Sequence, residues 1–320
     1  MKENTERGTV IRSTGSWYQV MLEHGRMMDC RMGGKFRQED KRLTNPVAVG
    51  DLVLIQEEST GESGIIKEIL PRKNYVLRQS PRRKHDLHIL ASNIDQAVLI
   101  TTIVNPNLKQ GFIDRFLLMT EPFNIPAILV FNKADTYDDQ AFDLYAYLEE
   151  MYQKIGYTVL LVSAHTGAGM DALKEALQGK ISLIGGQSGV GKTTLVNYMQ
   201  PQLELKTQDL SDYSGKGQHT TTFAEMFPLS FGGYIIDTPG IKTLSFSHLS
   251  PSDIAHNFRE FFVLSDDCRF GGQCLHRNEP GCAVKAALEA EDISPLRYTN
   301  YLNIVEESEA QNHWERHKEV

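Results

Sequence analysis

Gly186-Gln187-Ser188-Gly189-Val190-Gly191-Lys192-Thr193 fits the pattern G-x-x-x-x-G-K-[ST], and that pattern dictates the backbone on either side of it. Its glycines let successive backbone N–H groups converge on phosphate oxygens that a Cβ would block. The cradle works between a buried strand and a helix whose N-terminus faces the anion. Ile181-Ser182-Leu183-Ile184 supplies the strand, and Thr194-Leu195-Val196-Asn197-Tyr198 continues as the helix. Gly186, Ser188, Gly189, Val190, Gly191, Lys192, Thr193 and Thr194 are therefore the expected phosphate contacts. Lys192 would reach the outer phosphates, in a catalytic role, and the Thr193 hydroxyl would hold Mg²⁺.

Asn132-Lys133-Ala134-Asp135 stands upstream of that loop, after the apolar run Ile125-Pro126-Ala127-Ile128-Leu129-Val130-Phe131, which reads as a central parallel strand. The motif then lies at a strand's carboxyl end, where open α/β sheets bind ligands. A carboxylate at Asp135 can accept from both the ring N–H and the exocyclic amine of guanine, whereas adenine presents the reverse pattern. The Lys133 stem can lie over the base. Four residues alone could equally be a solvated turn, but two further segments match. After the strand Thr158-Val159-Leu160-Leu161-Val162 come Ser163-Ala164-His165, similar to the Ser-Ala-Lys loop of GTPases, in which the Ala N–H meets the guanine oxygen. After Tyr234-Ile235-Ile236 comes Asp237-Thr238-Pro239-Gly240, where Asp237 would reach Mg²⁺ through water and the Gly240 N–H would touch the terminal phosphate.

The order of these segments carries its own information. In an ordinary GTPase the phosphate loop opens the domain and Asn-Lys-x-Asp comes near its end. Here the order is rotated, which predicts a circularly permuted P-loop domain. Between phosphate loop and Asp237 lies Gly215-Lys216-Gly217-Gln218-His219-Thr220-Thr221-Thr222, a glycine-punctuated segment suited to a switch whose Thr ligates Mg²⁺ only with the terminal phosphate present. Thr221 is the expected ligand, with Thr220 and Thr222 as rivals. The position after the Asp-x-x-Gly turn, where Ras-type enzymes carry a water-orienting Gln, is Ile241. Hydrolysis is then slow, or assisted by another group; His219 is the candidate, since an imidazole near neutrality can orient or deprotonate water.

The 320 residues carry a net charge of −8, which argues against bulk nucleic-acid affinity, yet the charge is uneven. Residues 1–84 hold 16 Lys and Arg against 11 Asp and Glu, a net of +5, leaving −13 for the remainder. Lys35, Arg37, Lys41 and Arg42 cluster in one polar loop, and Arg72, Lys73, Arg78, Arg82, Arg83 and Lys84 run toward the next domain, a basic face suited to a phosphate backbone. Five short β-rich runs between Gly8 and Val76 predict a small barrel of OB-fold type, with Trp17 and Tyr18 as candidates for stacking on bases and Cys30 as a buried apolar residue. No apolar run approaches the roughly 18–20 residues needed to cross a bilayer, and the N-terminus lacks a signal peptide's apolar stretch, so a cytoplasmic protein is expected.

Cys268, Cys274, His276 and Cys282 form a second constellation. Three thiolates and one imidazole make a closed tetrahedral shell for one structural zinc, with no position left for a catalytic water. Pro251-Ser252-Asp253-Ile254-Ala255-His256-Asn257-Phe258 before it and Ala283-Val284-Lys285-Ala286-Ala287-Leu288 after it read as helices. The expected architecture is multidomain α/β: an N-terminal β-barrel over 1–80, a circularly permuted P-loop GTPase domain over 81–246 and a helical zinc-binding domain over 247–320.

These motifs in this order resemble the ribosome small-subunit-dependent GTPase A family (RsgA) over nearly the whole chain. The resemblance implies GTP hydrolysis stimulated by the small ribosomal subunit, a role in its late maturation, rRNA contacts through the flanking domains, and a match of His219 to the His of the family's switch. The five residues between Cys268 and Cys274 are one more than the family's usual spacing. No membrane partner is expected, and the state expected is monomeric. Because Asp237-Thr238-Pro239-Gly240 runs straight into the zinc domain, loss of the terminal phosphate could swing that domain and release the protein. The rival readings are a GTPase acting on tRNA or the large subunit, and a nucleotide-gated RNA-binding protein whose hydrolysis is incidental; a P-loop kinase stands further off, lacking a second substrate site.

Overall fold

Alternating burial along five short strands builds the first unit of the computed structural model, which describes residues 5–33, 45–59, 61–79, 87–201, 224–237, 246 and 249–316. The strands are β1 (Thr5–Ser13), β2 (Tyr18–Leu22), β3 (Met27–Met32), β4 (Leu52–Glu57) and β5 (Ser63–Ile69). They pair in the order β1-β2-β3-β5-β4 and close through β1–β4; β3–β5 is parallel and the other pairs are antiparallel. Every second residue faces the barrel interior, so Val10, Tyr18, Val20, Leu22, Met28, Cys30, Val53, Ile55 and Ile66 make one core. Closure brings the strands so near that a Cβ on Gly64 would stand 2.5 Å from Ile55 Cγ2 and 2.8 Å from Met28 Sδ.

The hairpin β6 (Tyr75–Gln79) and β7 (Leu87–Ser92) connects the barrel to the second unit. This unit runs β8 (Gln96–Thr101), α1 (Gln110–Thr120), β9 (Ala127–Phe131), α2 (Asp139–Ile155), β10 (Thr158–Leu161), α3 (Met170–Leu177), β11 (Ile181–Gly185), α4 (Lys192–Met199), β12 (Glu225–Pro228) and β13 (Tyr234–Asp237). Its sheet has the order β10-β9-β8-β11-β13-β12, parallel except for β12. Both faces are covered, so strands read as continuous apolar runs, and neighbouring residues go to opposite cores. Ala97, Leu99, Leu129 and Phe131 pack toward α1 and α2, while Val98, Ile100, Ile128 and Val130 pack toward α3 and α4. Helix α2 begins where the Asp138 carboxylate accepts the Ala141 N–H at 2.9 Å and ends at Gly156, in the left-handed region that favours glycine.

Barrel and sheet meet at one ladder pair, Arg12 of β1 opposite Glu225 of β12. The third unit comprises α5 (Pro251–His256), α6 (Arg259–Ser265), α7 (Ala283–Glu289) and α8 (Pro295–Arg316). A capping box between Ser250 and Asp253, with Pro251 in the first turn, starts α5 where the sequence places a helix. Ile254, Phe258, Phe261, Tyr301 and Ile304 join the same core as α1 and α2. The predicted barrel strands, the strands before each nucleotide motif and the helices around the cysteines are all present.

Candidate nucleotide-binding and metal sites

The phosphate loop leaves β11, flanked by β8 on one side and β13 on the other. Gly186, Gly189 and Gly191 all have positive φ, at 151°, 83° and 89°. A Cβ at Gly186 would stand 2.3 Å from the Ile100 carbonyl oxygen, and one at Gly191 2.6 Å from Asn132 Nδ2. Both positions therefore require glycine for space as well as for conformation. Ser188 and Gly189 are exposed, as is Thr194, while Val190 and Thr193 are buried at the start of α4. Lys192 is buried, and its Nζ donates to the Gly186 and Gln187 carbonyls at 2.9 and 2.8 Å, folded back over its own loop.

Asn132 joins three of the predicted segments. Its Nδ2 donates to the Val190 carbonyl at 2.9 Å, its Oδ1 accepts the Ala164 N–H at 3.1 Å and its own N–H goes to the Thr101 carbonyl at 2.8 Å. The Ala164 donor expected on a guanine oxygen is thus engaged with Asn132. Lys133 takes φ 64°, an uncommon conformation for a side-chain-bearing residue, and its Nζ donates to the Asn105 carbonyl at 2.6 Å and the Gly189 carbonyl at 2.8 Å. Asp135 accepts the Ser163 hydroxyl at 2.5 Å, and His165 Nδ1 lies 3.6 Å from its other oxygen. Asp237 closes β13 opposite Ile184, next to the phosphate loop. Sequence-distant segments therefore converge at the carboxyl edge of one sheet. Thr238, Pro239, Gly240 and Ile241, and the switch candidates His219, Thr220, Thr221 and Thr222, lie outside the described residues.

Comparison with known proteins agrees over the same stretches. Residues 69–247 match the family model described as RsgA GTPase and residues 7–66 the one described as RsgA N-terminal domain. A Flavobacterium johnsoniae protein named "Small ribosomal subunit biogenesis GTPase RsgA" is 51% identical over 304 residues, covering 94% of this chain and 93% of its own. A Bacteroides fragilis protein of the same name is 46% identical over 303 residues, covering 95% and 97%. Among solved structures, YjeQ from Thermotoga maritima superposes with a TM-score of 0.77 at 35% identity, covering 95% of this chain and 98% of that one. YloQ, titled a circularly permuted GTPase, gives 0.73 at 30% identity, with 97% of each chain covered. The chain belongs to the RsgA GTPase family. It is an enzyme that hydrolyses GTP, and its sheet has the permuted order that the motifs require.

The C-terminal constellation of this chain is assembled as well. The ligand atoms of Cys268, Cys274, His276 and Cys282 lie within 4.8 Å of one another, all four residues buried. His276, at φ 55°, points Nδ1 at the cluster, 3.4 Å from Cys282 Sγ and 3.7 Å from Cys268 Sγ. Cys268 Sγ also accepts the Ala283 N–H at 3.3 Å. Tyr298 and Tyr301 donate to the His276 and Leu275 carbonyls, each at 2.6 Å, and the Glu279 carboxylate accepts the Leu275 and Arg277 N–H groups. Burial pushes the Cys274 thiol up to about 12, a cost that a dication in the cluster would reverse. Three sulfurs and one nitrogen in this geometry can hold a zinc ion.

The flanking surfaces differ in part from the sequence reading. Tyr18 is a core residue at 3% exposure, so of the two aromatic candidates Trp17 alone stands on the barrel surface, at 45%. Arg72 is bound by its Nε and Nη2 to the fully buried Asp51, each at 2.7 Å, and Lys73 pairs with Asp95. Arg72 therefore fastens the segment after β5 to the barrel, and Lys73 ties that segment to the start of the sheet. Lys35, Arg37, Lys41, Arg42, Arg82, Arg83 and Lys84 lie outside the described residues.

The sequence reading missed a junction beneath the C-terminal unit. Arg297 of α8, 2% exposed, donates to Asp114 of α1 at 2.6 Å and bidentately to Glu260 of α6 at 2.8 and 3.0 Å. Its guanidinium also lies over the Phe258 ring, 4.4 Å from the centroid. Tyr152 of α2 donates to Asp114 at 2.7 Å, and Asn300 donates to the second Asp114 oxygen at 2.6 Å. Burial opposes the Arg297 charge, but Asp114 and Glu260 hold its pKa well above the ordinary value. Nothing local marks Arg297 as the partner of a residue 183 positions away.

Proposed function

We propose that this chain hydrolyses GTP during late maturation of the small ribosomal subunit, binds that particle's rRNA through its barrel and C-terminal unit, and leaves when GTP is spent. The observation that carries the chemistry is Asn132, whose side chain bonds both the phosphate loop and the Ser163-Ala164 loop. The named partner of full-length relatives supports the setting. On this reading the units are 1–80, 81–246 and 247–320, the protein acts as a monomer, and it works in the cytoplasm. Among the described residues no helix is long and apolar enough to cross a membrane.

Asp135 reads the guanine N–H groups, with Lys133, Ser163 and Ala164 around the base. The backbone of Gly186, Ser188, Gly189, Val190, Gly191 and Thr194 takes the phosphates. Lys192 exchanges two carbonyl partners for phosphate oxygens and neutralises charge that grows as the β–γ bridge breaks. Thr193, Thr221 and Asp237 would hold Mg²⁺, which supplies electrostatic stabilisation of the phosphates. Gly240 contacts the terminal phosphate. Ile241 cannot orient water, so we assign His219 that task, with a proton passing from the attacking water to its imidazole. Cys268, Cys274, His276 and Cys282 would hold one structural zinc. The Arg297 junction opposes a wholesale swing of the C-terminal unit, so the phosphate signal is placed in the segments next to Asp237.

Single-turnover GTP hydrolysis with isolated small or large subunits tests this. Acceleration by the small subunit alone is expected, and equal rates with both, or with neither, reject the partner. His219→Ala with an unchanged stimulated rate removes that residue from the mechanism. Zinc analysis should give one equivalent in the parent protein and none in Cys282→Ser; a zinc-free, folded parent would dismiss the structural metal.

A further inference from the structure

Tyr137, two residues beyond Asp135, sits where two loops of the guanine site meet. Its hydroxyl donates to the Asn132 carbonyl at 2.9 Å and accepts the Ile103 N–H at 3.0 Å. It is 8% exposed, and burial raises its pKa to about 12, so the hydroxyl keeps its proton at neutral pH. With this bond every polar group of Asn132, main chain and side chain, has a partner.

Ile103 opens a turn over residues 103–108, closed by the Leu108 N–H to the Ile103 carbonyl at 3.0 Å and braced by the Thr102 hydroxyl donating to the Pro106 carbonyl at 2.7 Å. Asn105, at φ 53°, aims its carbonyl at Lys133 Nζ. The same ammonium holds the Gly189 carbonyl of the phosphate loop, so Lys133 is stretched between two fixed oxygens. Its stem thereby passes close to Gly191, where a Cβ would stand 3.7 Å from Lys133 Cε. The position of that stem depends on Asn105, and the turn carrying Asn105 depends on Ile103.

We propose that Tyr137 is a positioning residue for guanine recognition: its one hydroxyl ties the Asn132–Asp135 loop to the 103–108 turn, and so sets the slot beside the Lys133 stem into which the purine fits. This rests on the guanine-nucleotide reading above. Tyr137 touches no nucleotide atom; it acts through Asn132 on one side and through Asn105 and Lys133 on the other. Because the slot grips the base identically before and during phosphoryl transfer, losing the hydroxyl should weaken binding of GDP and GTP alike and leave kcat unaltered.

The test is Tyr137→Phe, titrated with a fluorescent GDP and with the inosine analogue that lacks the exocyclic amine read by Asp135. A loss of affinity for GDP of about tenfold is expected, with the GDP-to-IDP preference falling at least about threefold, KM for GTP raised and kcat unchanged. Thr102→Val loosens the same turn with Tyr137 intact and should shift both affinities in the same direction; it decides the matter if Tyr137→Phe does not fold. GDP affinity within about twofold of the parent in the folded variant overturns the proposal, as does a lower melting temperature with the GDP-to-IDP preference intact, which would mark a structural role. A parent protein that binds no GDP would instead overturn the guanine-nucleotide reading itself.

Discussion

Lys192 and Arg297 are both buried cations, and they are satisfied in opposite ways. Among the described residues Lys192 is met by the main-chain carbonyls of Gly186 and Gln187, neutral groups that an incoming phosphate can replace. Arg297 is met by two carboxylates, with a tyrosine hydroxyl and the Asn300 and Gln110 amides also donating to Asp114. A cation held by dipoles keeps most of its attraction for an anion still to come, whereas one held by formal charges has none to offer. The first arrangement suits a ligand site and the second a permanent joint. The joint ties α8 to α1 and α6 around a buried ion pair.

Breaking the joint should have the largest effect. Arg297→Met leaves Asp114 buried without its cation and should cost about 3–5 kcal/mol, read as a lower, broader melting transition and early proteolysis of the α5–α8 unit. Adding Asp114→Asn should restore part of the loss, because the stranded charge goes with it. If Arg297→Met melts like the parent, the junction is no lock.

Lys192→Ala puts the other half of the contrast to the test. Guanine-nucleotide affinity should fall by at least about 100-fold, roughly 2.7 kcal/mol, as titration would show. The nucleotide-free protein should melt within a few degrees of the parent, since the Gly186 and Gln187 contacts that are lost are to neutral main-chain dipoles. A large drop in stability without nucleotide would erase the distinction between the two cations.

A smaller effect belongs to the hairpin between barrel and sheet, where His88 lies opposite Arg78. Burial, and then the Arg78 charge, lower the His88 pKa to about 4. The unfolded chain takes up this proton at its ordinary pKa of about 6.5 while the folded chain does not, so stability is full above about pH 6.5 and falls as the pH drops toward 4. The loss is on the order of 1–3 kcal/mol. His88→Gln should flatten this acid limb in urea titrations at stepped pH; an unchanged limb would assign it to other groups.

What could be read from sequence tracks the range over which each feature is encoded. The phosphate loop, Asn132–Asp135, Ser163-Ala164 and Asp237 are local patterns after apolar strands, and each stands where strand order predicts, because a loop motif fixes its own backbone. The cluster of Cys268, Cys274, His276 and Cys282, which could hold a metal, was equally legible, lying within 15 residues. Tyr137, Asn105 and Arg297 were not. Each works through a main-chain carbonyl or a partner far along the chain, and a carbonyl has no signature in sequence. Arg72 and Tyr18 were misplaced for the converse reason: a basic residue and an aromatic look alike on a surface or in a core until the partner, Asp51 or the barrel interior, is known.

The smallest effect expected is at the remaining junction, where one ladder pair, Arg12 opposite Glu225, joins the barrel to the GTPase sheet. Arg12 Nε lies 3.6 Å from Glu225 Oε2, and the Arg12 side chain is 47% exposed. Water competes for both charges, so Arg12→Ala should cost only about 0.2–1 kcal/mol, at the edge of what a urea melt resolves. Burial already raises the Glu225 pKa, and the Arg12 charge partly offsets that rise, so the substitution should move it further up in a carboxylate-resolved NMR titration. The outcome ranks the joints: a loss approaching that of Arg297→Met would mean that the barrel is clamped as firmly as the C-terminal unit. A loss near zero would leave Asp51, with Arg72 and Ser92 bonded to it, as the tie that holds the barrel in place.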